Sequence, residues 1–293
     1  MDKIKFVQKE VKTVRVSEIF YSLQGEGLRV GVPSIFVRFF GCNFRCPGFG
    51  MPKGEISTEA DDIVKQVLSC PQNYPDYQSL PLAKTGCDSY PSWHPKLAQY
   101  SNDVDQHQLM SMINNIMPKT TNLPDIVFTG GEPLLPRTQS FIASFLRDYS
   151  DRFNYITFET NGTMLLTEQL KTALLSKNKI IFSISPKLSC SGVPKNKAIN
   201  YDVWKDINWF VSNTTSRTCY LKFVISNEDD VQEIEDVLQN CPIDVPGVYV
   251  MPEGGTTETY NANCKIVADI ALKYGYVFSP RLHVSLYGNS WAK

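Results

Sequence analysis

From about residue 125 onward, short β-branched runs alternate with longer stretches of helical periodicity, and that alternation restricts the chain to repeated βα units around a parallel sheet. The strand candidates are DIVFT (125–129), YITFE (155–159), IIFSI (180–184), YLKFVI (220–225) and GVYVM (247–251). Each is followed by turn residues and a helical pattern, such as NEDDVQEIEDVL (228–239) with its acidic first turn. Upstream, SIFVRFFGC (34–42) reads as a further buried strand, preceded by VSEIFYSLQGEG (16–27). Six such strands predict an α/β fold, a modified partial (β/α) barrel with about six parallel strands rather than eight repeats. Barrels of this kind carry their chemistry at the C-terminal ends of the strands, so the residues just after each run are the first candidates for a site.

The rhythm breaks between residue 47 and about residue 100, where Pro, Gly, Ser and Tyr accumulate and only one short helix, near 58–68, is suggested. This reads as an irregular insertion in an otherwise single domain spanning residues 1–293. With 42 % hydrophobic residues the chain can bury one large core, and a net charge of -1 gives no bulk reason to expect nucleic acid or a membrane surface as partner. No window approaches a membrane span, and the amino-terminal MDKIKFVQKEV alternates charge with apolarity instead of forming a signal-peptide core. A cytoplasmic location is the expectation, in which the eight cysteines are thiols or metal ligands rather than disulfides.

Two of those cysteines stand in GCNFRC, where Cys42 and Cys46 have metal-ligand spacing, and no other cysteine follows until Cys70. Alone, a CxxxC pair is more often structural or half of a zinc site. Cys87, in KTGCDSYPSW at the far end of the insertion, supplies a third soft donor, and three thiolates suit an iron-sulfur cluster. A four-iron cluster on three cysteines keeps one iron open for another ligand. Residues 47–86, the 40 between the second and third cysteines, add about 2 kcal/mol of loop-closure entropy, which a thiolate-iron bond can carry. Cys70 competes for the third place but lacks a following Asp and hydroxyl residue, whereas Cys190, Cys219, Cys241 and Cys264 read mostly as packing residues.

The order EIFYSLQGEG (18–27), FVRFFGCNFRC (36–46), CDS (87–89) and FTGGEPLL (128–135) resembles the 7-carboxy-7-deazaguanine synthases, a family of radical S-adenosylmethionine (SAM) enzymes. Their last cluster cysteine follows two residues after the second, so the 40-residue spacing is a departure. The resemblance covers both ends of the chain and most strand termini between them. It implies a [4Fe-4S] cluster on Cys42, Cys46 and Cys87, SAM bound at the open iron, and reduction by a flavodoxin or ferredoxin. It further implies conversion of 6-carboxy-5,6,7,8-tetrahydropterin to 7-carboxy-7-deazaguanine with loss of ammonia, the cluster and SAM carrying the chemistry with no further catalytic side chain. Within the family SAM is regenerated, Mg²⁺ assists the ring contraction, and the precedent for assembly is a homodimer.

Residue by residue, the resemblance places Gly130, Gly131 and Glu132 at the methionine amino group, and Glu159, Asn161, Ser185 and Lys187 at the cofactor. Ser89 stands where the family has a threonine that contributes to the Mg²⁺ site. Gln24, Glu26, Arg38 and His283 match the substrate pocket, and VMPEGG (250–255) resembles a segment near the adenosine.

Several of these residues have a plainer reading. TGGEP serves as a strand-to-helix turn, Lys187 as a solvated lysine, and His283 as a core or strand histidine. Arg38, inside an apolar strand, needs a carboxylate, which is either a ligand's or that of Glu26 in a structural bridge. His94 and His107 are expected at the surface. Two other functions fit parts of the pattern: a radical SAM activase of a glycyl radical enzyme, and a non-enzymatic relative that acts by binding a partner.

Overall fold

The structure, a computed structural model, describes residues 12–120, 122–177, 179–243, 247–288 and 290–292. The amino-terminal stretch read above against a signal peptide lies outside the described residues. Strands β1 (Val14–Leu23), β2 (Pro33–Phe39), β3 (Asn102–Val104), β4 (Asp125–Gly130), β5 (Ile156–Thr160), β6 (Ile180–Ile184), β7 (Arg217–Ile225), β8 (Val248–Pro252) and β9 (Val277–Phe278) form one sheet. Its order is β3-β1-β2-β4-β5-β6-β7-β8-β9. From β2 to β9 seven strands run parallel, while β1 and β3 add an antiparallel edge. All six parallel strands expected from the sequence are present. The seventh, β9, has two residues, too few for a run of β-branched residues to stand out.

The helices are α1 (Glu59–Ser69), α2 (Gln106–Ile116), α3 (Pro136–Tyr149), α4 (Glu168–Leu175), α5 (Lys195–Ala198), α6 (Tyr201–Val211), α7 (Asp229–Gln239), α8 (Thr257–Tyr274) and α9 (Leu282–Tyr287). Caps fix several of their ends. The Asp105 carboxylate accepts the backbone N–H groups of His107 and Gln108 at the start of α2, and Gly275 ends α8 in the left-handed region. Between sheet and helices, Phe128, Phe158 and Phe182 occupy matching register positions on β4, β5 and β6 and stack at 5.5 and 4.9 Å. A one-residue slip of any of these strands would turn its phenylalanine out of that row.

A β-bulge between Val16 and Glu18 sets which side chains face inward. Val14 and Val16 join the core under the helices, yet Glu18 and Phe20, two and four residues further on, line the interior cavity beside Arg38 and Phe36. The extra residue turns the strand over, so that a carboxylate points inward where the unbroken alternation would have placed it in the apolar layer.

The stretch from Cys46 to Cys87 folds back on itself. The Phe49 carbonyl accepts the Gly86 N–H at 2.7 Å, the Pro47 carbonyl accepts the Ser57 N–H at 2.7 Å, and Ser57 Oγ meets Thr85 Oγ1 at 2.7 Å. Glu59 accepts the N–H groups of Lys84 and Thr85. These bonds pinch the excursion at its base, so the closure entropy between Cys46 and Cys87 is met by local structure. Beyond the pinch, α1 and several 3₁₀ turns bury a small core of their own, including Val64, Val67, Tyr77, Leu80, Tyr90 and Leu97, with Trp291 packed against it. His94, expected at the surface, is instead buried there with Nε2 3.0 Å from Asp61, because the turn beginning at Pro95 folds its backbone over the ring. His107 is exposed on α2 as expected.

Candidate active site

The C-terminal ends of the parallel strands open onto one cavity of about 320 Å³. Cys42, Cys46 and Cys87 all border it and pack together with Phe44, Phe49, Val193 and Ala198. Cys42 follows the end of β2 in a loop tied down twice: Gly131 N–H donates to the Phe39 carbonyl (3.3 Å) and Glu132 N–H to the Gly41 carbonyl (2.8 Å). A Cβ on residue 131 would stand 2.1 Å from the Gly41 oxygen and 2.8 Å from Cys42 Cβ, so TGG is glycine there to let two backbones touch. Gly131→Ala is therefore expected to displace the Cys42 loop and cost about 1–3 kcal/mol. Urea unfolding measures this, and an unchanged midpoint would show that the loop yields freely.

Cys46 is held at φ 47°, a left-handed backbone that a non-glycine residue adopts only under constraint from its surroundings. Burial pushes the Cys42 thiol up to about 12 and raises those of Cys46 and Cys87 as well, with Cys87 acting on Cys42, both other sulfurs on Cys46, and Asp88 on Cys87 as further negative charges. A cation is what would make three such sulfurs thiolates together. The donor set is soft, clustered and shielded, which fits an iron-sulfur group. Among the described residues no three His, Cys, Asp or Glu side chains converge as ligands of one metal ion. The ligands of a four-iron cluster each bind a different iron and stand correspondingly apart. Cys70 ends α1 and does not border the cavity.

Next to the cysteines lie the ends of β4, β5 and β6. Gly130, Gly131, Glu159, Asn161, Ser185 and Lys187 line the cavity, and the Lys187 ammonium stands 3.4 Å from Ser185 Oγ. Glu132 is placed differently from the expectation. It is fully buried, and its carboxylate accepts Thr160 Oγ1 (2.7 Å), Asn161 N–H (2.8 Å) and Leu134 N–H (2.9 Å). With its oxygens so engaged, Glu132 fastens β4 to β5 and leaves polar contact with a ligand to the backbone around Gly130 and Gly131. VMPEGG does reach the site, since Met251 to Gly255 line the cavity and Glu253 accepts the Gly50 N–H.

The same cavity holds a charged group. Glu26 pairs with Lys222 and lies 3.6 Å from Arg281, which also holds Asp88 at 2.8 Å. Burial alone would raise the Glu26 carboxyl, but Lys222 and Arg281 overcome that and hold it well below the usual range. His283 caps the group. Burial lowers it to about 4, so it is neutral at pH 7, and Gly25 of QGEG is glycine because a Cβ there would meet its Nδ1 at 2.1 Å. Arg38 borders the cavity with its Nε donating to Glu18 at 3.2 Å, so its protein partner is Glu18 and not the Glu26 considered above. Gln24 is buried off the cavity: it donates to Glu159 (3.2 Å) and accepts the Glu26 N–H (3.0 Å), steadying two lining residues. Ser89 lines the cavity with its hydroxyl 3.4 Å from Cys87 Sγ.

Sequence reasoning passed over Lys222, Arg281, Asp88, Glu18 and Trp93, all of which line the cavity. Lys222 had a signal, being the one charge in the apolar run YLKFVI, the same anomaly that singled out Arg38.

A family model described as "4Fe-4S single cluster domain" matches residues 23–198. The 7-carboxy-7-deazaguanine synthase of Halobacterium salinarum is 30% identical to the chain, over 94% of this chain and 91% of that protein. That of Pyrobaculum aerophilum is 27% identical over 96% and 97%. The crystal structure of QueE from Escherichia coli shares the fold, with a TM-score of 0.53 at 17% identity over 91% of this chain and 93% of that one. Matched along nearly its whole length, the chain belongs to the 7-carboxy-7-deazaguanine synthase family.

Proposed function

We propose that the chain forms 7-carboxy-7-deazaguanine from 6-carboxy-5,6,7,8-tetrahydropterin, with loss of ammonia, using a [4Fe-4S] cluster on Cys42, Cys46 and Cys87 together with SAM. The observation that carries this reading is the convergence, in one cavity, of three sulfurs and the charged set around Glu26. When bound, the reduced cluster and SAM supply the organic radical that removes hydrogen from a substrate carbon.

The chain's own residues bind, orient and exclude water. The backbone at Gly130 and Gly131, with Glu159, Asn161, Ser185 and Lys187, forms the cofactor side. Glu26, Arg38, Lys222, Arg281 and His283 form the substrate side, where cations suit the substrate carboxylate and the ionised Glu26 suits ring N–H groups. Neutral His283 can donate or accept without adding charge. Gln24 acts through Glu26 and Glu159. Ser89 is the hydroxyl available to a Mg²⁺ ion that takes its remaining ligands from substrate and water. A flavodoxin or ferredoxin as reductant and a homodimeric assembly complete the reading, which places the protein in the cytoplasm. Among the described residues no helix is long and apolar enough to cross a membrane.

The test is anaerobic incubation with SAM, reductant, Mg²⁺ and the carboxytetrahydropterin. A deazapurine carboxylate and ammonia in equal amounts are expected. SAM cleavage without a deazapurine would point to an activase, and a protein that stays colourless after reconstitution to a non-enzymatic relative.

A further inference from the structure

The Trp93 indole borders the cavity beside the cysteines, and its Nε1–H is buried without a closely paired acceptor among the described residues, the Cys87 sulfur being the acceptor within its reach. Buried N–H groups are nearly always paired, so a buried donor left short of an acceptor on a residue of the cavity wall marks where a better one is to come from. Trp93 is firmly placed. It follows the 3₁₀ turn Tyr90–Ser92, whose Ser92 carbonyl accepts the Gly41 N–H at 2.7 Å, one residue before Cys42. The Arg45 guanidinium lies over its ring at 4.3 Å and reaches its carbonyl at 3.4 Å. The group standing beside Nε1 is the Cys87 sulfur, which already has the Ser89 hydroxyl at 3.4 Å. Cys42 Sγ receives a backbone donor, the Phe44 N–H at 3.3 Å, as Cys87 Sγ does from the Ser89 N–H.

We infer that Trp93 is a positioning residue for the cluster, its indole N–H donating to a sulfur at the Cys87 corner and thereby raising the reduction potential. This inference rests on the cluster assignment proposed above. A donor to a cluster sulfur stabilises the reduced form, which carries one more negative charge, more than the oxidised form. The residue that conditions the third cysteine electrically thus follows it closely in sequence, just after the turn that also ties down the Cys42 loop. Trp93 holds no substrate atom in this account and moves no proton.

The experiment is an EPR redox titration of the reconstituted wild type, Trp93→Phe and Trp93→His, with HYSCORE spectra of reduced wild type labelled with ¹⁵N-tryptophan. The expected result is a full cluster in each, a midpoint more negative in Trp93→Phe than in wild type, partial return in Trp93→His, and a ¹⁵N coupling in the labelled wild type. A loaded Trp93→Phe at the wild-type potential overturns the inference and leaves the cluster assignment standing. If Trp93→Phe does not load, the labelled wild type decides, and absence of a ¹⁵N coupling overturns the inference. A wild type that binds no four-iron cluster overturns the assignment and the inference together.

Discussion

Cys87→Ala is expected to lose the four-iron cluster and all product formation, whereas Cys70→Ala keeps both. Cys87 borders the cavity with Cys42 and Cys46 and shares their packing, while Cys70 caps α1 away from it. The pinch at Phe49 and Gly86 explains how a ligand 41 positions after Cys46 in sequence is brought beside it. The effect on the fold itself should be small, because the hydrogen bonds of Ser57, Glu59 and Thr85 close the excursion without the sulfur. Iron and sulfide analysis after anaerobic reconstitution, with visible and EPR spectra, makes the comparison. A full cluster in Cys87→Ala would show the third ligand to be another residue, and the role given to Ser89 would fall with it.

Lys222→Met is expected to cost about 3 kcal/mol of stability and to weaken substrate binding strongly. Lys222 is buried and holds Glu26 in an ion pair. Removing one member of such a pair leaves a desolvated charge, and the penalty exceeds what the pair contributes relative to neutral groups. Arg281, 3.6 Å from Glu26, compensates in part, which puts the loss at the lower end of the range for buried pairs. Glu26→Gln in the same chain should recover most of the stability and none of the binding. Denaturant unfolding of the two single variants and the double variant measures the coupling. Equal, additive losses would mean that Lys222 and Glu26 act independently.

The strands could be read from the sequence because β2 and β4 to β8 are buried on both faces and therefore carry runs of large apolar residues. Their ends could be read for the same reason, since polar residues and glycines interrupt the runs where the cavity begins. What the sequence concealed are contacts between distant segments. Glu132 offers a carboxylate beside two glycines, and nothing local shows that Thr160 and Asn161 will take it up. Gln24 reads as a pocket residue until Glu159 is found beside it. The fold of residues 47–86 depends on Glu59 meeting Thr85, a pairing with no periodicity to announce it. Glu18 was hidden by the bulge, because regular alternation assigns it to the same face as Val16.

The measurement that bears most directly on the central claim is turnover of carboxytetrahydropterin deuterated at C6, with mass analysis of product and recovered SAM. Deuterium appearing in the SAM pool alongside the deazapurine carboxylate is the predicted result if, as in the reading proposed above, hydrogen is taken from a substrate carbon, here C6, and SAM is regenerated as in the family. Deazapurine formed with no deuterium in SAM, or SAM consumed with no deazapurine, would contradict the account.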